Sequence, residues 1–269
     1  MNELKHDNIR QQVRTRYRDI SLQGANRDNP SNLCCSPAAG CCTSADEASS
    51  RVGYTAEELG SVPEGSNLGL GCGNPQAIAS LQPGEVVVDL GSGGGFDCFL
   101  AARQVGESGR VIGVDMTPEM ISRARMNASR GFYTNTEFRL GEIEHLPIAD
   151  RSVDVIMSNC VINLSPDQPQ VFREAFRVLK AGGRVAVTDV VMTADLPEEL
   201  KAAESDLYSC CITGASRIEE LHEMLVKAGF TQITIEPKDD SRAFIKDWVP
   251  GVSIEQYIMS AVIQAVKPY

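Results

Sequence analysis

Thiols are the side chains with the most chemical content in this sequence. There are nine: Cys34-Cys35, Cys41-Cys42 and Cys210-Cys211 as adjacent pairs, and Cys72, Cys98 and Cys160 singly. In a reducing compartment such a set does not form a disulfide framework, which leaves metal binding or thiol chemistry. A structural zinc site is disfavoured, because no C-x-x-C pair exists and His6, His145 and His222 have no ligand spacing. Cys72 sits in a glycine-rich loop, Ser66–Pro75, and Cys211 in a glycine-containing break, Cys210–Gly214. Cys160 follows an apolar run that ends in Asn159. A buried cysteine in that position is ordinarily a small hydrophobe. Three thiols able to converge from separate segments suit a soft, thiophilic atom, since thiolates select soft ions. Cys98 lies on a helical pattern and reads as packing; spacing alone does not rank Cys210 against Cys211.

The second constellation is a glycine turn between acids. Val86–Leu90 is a short apolar run bounded upstream by Pro83-Gly84, as in a strand buried on both faces. It carries Asp89 and runs into Gly91, Ser92, Gly93, Gly94 and Gly95, then a helical pattern to Val105. A second strand, Val111–Val114, ends on Asp115. Strand, glycine turn, helix, strand and acid make a nucleotide-binding βαβ unit, in which the acid accepts hydrogen bonds from ribose hydroxyls. The dinucleotide fingerprint G-x-G-x-x-G requires glycine at 96, where Phe96 stands. The G-x-G-x-G pattern instead resembles the S-adenosylmethionine site of class I methyltransferases.

The elements that position these groups follow in βα steps. Thr117 and Pro118 open a helix to about Arg130, and Thr136–Leu140 is a third strand leading to Gly141-Glu142-Ile143-Glu144. Val153–Ser158 is a fourth strand, a helix runs from about Gln168 to Leu179, and Arg184–Val191 is a fifth strand. Helices are expected near Lys5–Tyr17, Pro197–Ser209 and Arg217–Ala228, with a short turn at Tyr54–Leu59. Late strands near Thr231–Glu236 and Tyr257–Val266 complete seven. The alternation predicts an α/β fold with a seven-stranded, mostly parallel, doubly wound, Rossmann-like sheet. Such sheets bind ligands beyond the carboxyl ends of their strands. There Asp115 would hold a ribose, Met116 lie against adenine, and Glu142 and Ile143 border the adenine edge; Asn159, on the cofactor side, and Cys160 end the fourth strand where a substrate would meet the cofactor.

A formal net charge of -11 argues against general nucleic-acid binding and suits a cationic ligand. No apolar stretch is long enough for a membrane span and Met1–Arg10 lacks a signal-peptide core, so the expected location is cytoplasmic.

Five segments together carry a specific resemblance: GLGCGNP (69–75), VVVDLGSGGGFDC (86–98), GEIEHLP (141–147), SNCVINLSPD (158–167) and CITGA (211–215). Over roughly residues 50–237 the chain resembles bacterial and archaeal arsenite S-adenosylmethionine methyltransferases. The resemblance implies the class I methyltransferase fold and places the family's three arsenic-binding thiols on Cys72, Cys160 and Cys211. The doublet Cys210-Cys211 departs from the single cysteine usual there, and the following Ile-x-Gly-Ala favours Cys211. It also implies an additional N-terminal redox cysteine, matched to Cys41 or Cys42, with thioredoxin or a small thiol as reductant. The implied products are methylated arsenicals. Residues 1–66 are then a helical, cysteine-rich extension and 67–195 the donor-binding core. Residues 196–269 complete the sheet and cover an arsenic-binding region. Two rivals remain: a methyltransferase acting on carbon or oxygen of a small organic molecule, and a thiol-rich module that binds metalloid without turnover. The intact glycine turn counts against the second.

Overall fold

The computed structural model describes residues 2–23, 44–197, 200, 211–249 and 251–269. Cys34, Cys35, Cys41, Cys42 and Cys210 lie outside the described residues, as does almost all of the helix expected over Pro197–Ser209.

Five strands run parallel: β1 (Val86–Leu90), β2 (Arg110–Asp115), β3 (Thr136–Leu140), β4 (Val153–Asn159) and β5 (Leu179–Met192). The two-residue β6 (Ser216–Arg217) pairs only with β5, while β7 (Thr231–Pro237) and β8 (Ile258–Val266) extend the sheet in the order β3-β2-β1-β4-β5-β8-β7. β8 is antiparallel to both neighbours, so the sheet is mixed and has eight strands rather than the expected seven. The extra strand was not foreseeable, because a two-residue Ser-Arg bridge carries no period.

Alternate residues of the central strands face two apolar layers, the pattern of a sheet covered on both sides. Val88, Leu90, Ile112 and Ile156 pack with Phe172 of α7 (Gln168–Val178) and Leu225 of α8 (Ile218–Ala228). Val87, Val111, Val155 and Met157 pack with Phe99 of α5 (Phe96–Val105) and Ile121 and Ala124 of α6 (Pro118–Arg130). β5 begins at Leu179, five residues before the expected Arg184, because Leu179 already pairs with Val153 across a bulge.

The register sets the functional edge. Leu90 is level with Val114 and Ser158, and Asn159 with Thr188, so Gly91, Asp115, Cys160 and Asp189 all emerge at one end of the sheet. Over this edge lies α1 (Asn2–Gln23), longer than the predicted Lys5–Tyr17. Ile9, Val13, Tyr17 and Ile20 recur at helical spacing; Val13 and Ile20 are buried, and Ile9, Val13 and Tyr17 join an apolar cluster with Cys72, Cys160 and Cys211. That docking, rather than intrinsic propensity, carries the helix to Gln23. Three short helices, α2 (Ala45–Arg51), α3 (Ala56–Gly60) and α4 (Gln76–Ala79), lead from α1 to β1, and a last one, α9 (Arg242–Ile245), precedes β8. No helix among the described residues is long and apolar enough to cross a membrane.

Candidate active site

Cys72, Cys160 and Cys211 are buried, with 2%, 4% and 4% of their surface exposed, and they meet. The Cys160 thiol is in hydrogen-bonding contact with both the Cys72 and the Cys211 thiols. Each arrives from a different element. The Cys72 loop is pinned at both sides: its N–H donates to Asn159 Oδ1 (3.0 Å), and its carbonyl accepts from Ser260 Oγ of β8 (2.8 Å). Cys160 donates its N–H to Thr188 O (2.8 Å) and turns out of β4 with φ +60°. Cys211 has φ +64°, and its Sγ donates to Cys160 O (3.4 Å). A left-handed conformation costs a non-glycine residue about 1–2 kcal/mol, so the fold holds two of the three thiols against local preference.

Burial raises the Cys72 pKa, opposed by its contact with Cys160. For Cys160 the Cys211 contact pulls the pKa down, but the Cys72 contact and burial together carry it well above the ordinary thiol value. Both thiols are therefore neutral near pH 7. Beside them lies an acid that sequence reasoning missed. Asp189 Oδ2 accepts N–H bonds from Ile162 (2.9 Å) and Asn163 (3.2 Å), which fixes the turn behind Cys160. Burial raises the Asp189 pKa to about 7 against those backbone donors.

A cleft opens from this cluster along the strand ends. Its far half is lined by Gly91, Ser92, Gly93, Gly94, Asp115, Met116 and Ile143. Asp115 accepts from Gly93 N–H (3.0 Å) through one oxygen and Thr117 N–H (2.8 Å) through the other, leaving lone pairs for a diol. Burial raises its pKa while those two N–H bonds lower it. Ser92 Oγ is buried in this lining and has no partner among the described residues, the mark of a site shaped for a polar ligand. Gly91, at φ +69°, lies so close to Val161 that a Cβ there would come within 2.5 Å of its methyls. An acid for ribose, flanking apolar side chains for a flat ring and an unsatisfied hydroxyl at the glycine turn fit the adenosyl part of S-adenosylmethionine.

Not every predicted residue lies where expected. Gly95 does not line the cleft; at φ +91° it starts α5, against Phe99 and Phe138. Glu142 turns outward to Arg14 (3.3 Å) and Arg10 (3.5 Å) of α1, and Glu144 takes the cleft-facing position, bonded by Ser165 Oγ (2.7 Å). Asn159 lines the cleft and also locks its wall, donating to Gly73 O (2.8 Å) and Tyr54 Oη (3.0 Å).

Between the thiols and the glycine turn lies an acidic group. Asp89 lines the cleft and accepts from the Cys98 thiol (3.2 Å), and Tyr54 Oη donates to Asp97 Oδ1 (2.6 Å). Burial lifts the Asp97 pKa to about 6, opposed by bonds from Tyr54 and Asn159. Burial, then the neighbouring Asp97 charge, raises that of Asp89 well above the usual carboxylate range. Tyr54 and Asp97 were missed at the level of sequence; an acid in the first turn of a helix after a glycine loop was the available signal for Asp97.

Comparison with known proteins agrees with this geometry. A methyltransferase-domain family profile matches residues 81–229. The chain is 50% identical over 264 residues to an arsenite methyltransferase of Halobacterium salinarum, covering 97% of this chain and 67% of that one. It is 44% identical over 176 residues to an arsenite methyltransferase of Aquipseudomonas alcaligenes, covering 63% of this chain and 50% of that one. The chain thus spans between half and two thirds of these curated relatives. The crystal structure of an arsenic(III) S-adenosylmethionine methyltransferase from Chlamydomonas reinhardtii superposes with a TM-score of 0.61 at 32% identity, over 82% of this chain and 73% of that one. With a class I sheet, an S-adenosylmethionine cleft and these relatives, the chain belongs to the arsenite methyltransferase family.

Proposed function

We propose that this chain methylates trivalent arsenic held as a tris-thiolate by Cys72, Cys160 and Cys211. The observation that carries the reading is that Cys160 belongs both to the thiol cluster and to the lining of the cleft. Arsenite, As(OH)3, exchanges three hydroxyls for three sulfurs, and each thiol proton leaves with a hydroxyl as water. Neutral thiols therefore suffice, in keeping with the raised pKa values of Cys72 and Cys160. The product is a trigonal pyramid with its lone pair opposite the sulfurs.

S-adenosylmethionine, when bound, supplies an electrophilic sulfonium methyl for that lone pair and leaves as a neutral thioether. The protein's share is positioning. Asp115 and the Gly91–Gly94 turn hold the nucleoside, and Asp97, with its pKa raised only to about 6, carries negative charge that suits a cation near pH 7. Asn159 ties the Cys72 loop to the β4 end that carries Cys160. No general base is needed, since the arsenic nucleophile carries no proton.

Methylation takes arsenic to the pentavalent state with three sulfurs attached. Return to trivalent arsenic requires two electrons. In this reading the As–S bond to Cys72 breaks, and the Cys72 sulfur bonds the sulfur of Cys41 or Cys42. That second thiol releases its proton. Thioredoxin or a small thiol resets the disulfide by exchange. Residues 1–66 thus supply reductant and roof, 67–195 the donor site, and 196–269 the third thiol, in a reducing cytoplasm that keeps the cysteines free.

Incubating the protein with S-adenosylmethionine, arsenite and a thiol, and speciating the arsenic, tests the reading. Methylarsenicals from wild type and none from Cys160→Ser are expected. A folded, donor-binding protein that yields none points to an organic substrate instead.

A further inference from the structure

We propose that Cys72, Cys160 and Asp189 form a binding site for a thiophilic divalent cation, with zinc the ion of matching chemistry, so that zinc and arsenite compete for one pocket. The inference goes beyond arsenic methylation and does not depend on turnover.

The two Sγ atoms and one Asp189 carboxylate oxygen lie within 4.8 Å of one another, and all three side chains are buried. In tetrahedral zinc a Zn–S bond of about 2.3 Å puts neighbouring sulfurs roughly 3.8 Å apart, so the donors need to close by only about 1 Å. Cys211, in contact with Cys160, or a water completes the fourth position. Trivalent arsenic asks for something else: three sulfurs and room for a lone pair. A carboxylate adds no ligand to that pyramid, yet a buried carboxylate faces the thiols. It accepts hydrogen bonds from the backbone N–H groups of Ile162, Asn163 and Val190. Oδ2 is filled by the Ile162 and Asn163 N–H groups, while Oδ1 accepts from Val190 and keeps a lone pair for a cation.

A sulfur–oxygen donor set of this kind suits a borderline ion such as zinc, whereas purely sulfur sets suit softer ones. The absence of C-x-x-C spacing does not bear on it, because loop, strand end and neighbouring strand deliver the donors from separate parts of the chain. Binding displaces to solvent the proton of each ligating thiol and any proton that Asp189 carries.

The test uses the full metal-free chain, titrated with zinc against a chromogenic chelator, alongside Asp189→Asn, Cys72→Ser and Cys160→Ser. One zinc per chain bound through this site is expected. Asp189→Asn, which keeps a carbonyl oxygen for the turn, should weaken zinc by at least about tenfold, the scale on which even outer ligand partners act. Arsenite binding, which needs only the sulfurs, should change far less, and arsenite should displace the zinc. Zinc affinity indifferent to both Asp189→Asn and Cys160→Ser would overturn the proposal. So would a zinc-loaded protein that takes arsenite as readily as the metal-free one. If Asp189→Asn does not fold, Cys72→Ser, which leaves the carboxylate in place, decides by loss or retention of the bound zinc. Methylation without zinc binding defeats this inference alone, and zinc binding without methylation defeats only the functional reading.

Discussion

At the scale of single residues the site rests on buried groups held to one task by hydrogen bonds. Asp115 is the clearest: it lines the cleft, and the N–H groups of Gly93 and Thr117 fix the direction of its two oxygens. Losing a charged acceptor costs about 1.5–3 kcal/mol per hydrogen bond, so Asp115→Ala should raise the S-adenosylmethionine Kd roughly tenfold or more in calorimetry, with arsenite binding retained. Asp97 makes a prediction about pH. Its pKa is raised to about 6 by burial, so the folded state holds a proton that the unfolded chain has already released. The contribution is present below about pH 4 and is lost as pH rises through about 6, on the order of 1–3 kcal/mol. Melting temperature should fall between these values, and Asp97→Asn should flatten that slope. Asp115 was legible in the sequence because a strand, a glycine turn and a helix precede it. Tyr54 and Asp97 were not, because their 2.6 Å bond joins positions 43 residues apart with no shared period.

At the scale of elements, chain segments place thiols that would not choose their own geometry. The β4 end turns through Cys160 and Val161 directly beside Gly91. Gly91→Ala should therefore act twice, through the left-handed backbone and through a Cβ driven against Val161. We expect a loss of ~2–3 kcal/mol in denaturant midpoints and a larger fall in methylation than stability explains, since Val161 carries Cys160 with it. Adding Val161→Ala should restore part of both. The βα order and the strand ends were readable from period and punctuation. The roof was not: α1 reads as a polar helix, and only its docking through Val13 and Ile20 extends it. For the same reason the Glu-Ile-Glu segment could not reveal which acid faces the cleft. Arg14, far away in sequence, pairs with Glu142, while Arg10 bridges both acids and Ser165 holds Glu144 in the cleft lining.

The whole molecule brings three thiols from a loop, a strand end and a turn to one end of a mixed eight-stranded sheet, next to a donor cleft. The resemblance carried by five short segments identified those thiols; sequence could not show that they meet, since convergence depends on how β8 and the region after β5 close over the edge. The N-terminal cysteines belong to this scale too. Replacing Cys34, Cys35, Cys41 and Cys42 together with serine should leave a single methyl transfer per site intact. It should abolish repeated turnover when thioredoxin is the only reductant, as read by methylarsenical formed per enzyme. Undiminished multiple turnover would remove the N-terminal cysteines from the cycle. The account stands most directly on how arsenic is held. Arsenic X-ray absorption on that same four-serine protein, loaded with one arsenite per chain, counts its sulfur neighbours. The account predicts three, falling to two when Cys160 is also replaced by serine. Two or fewer at the outset, or a count indifferent to Cys160, would contradict it.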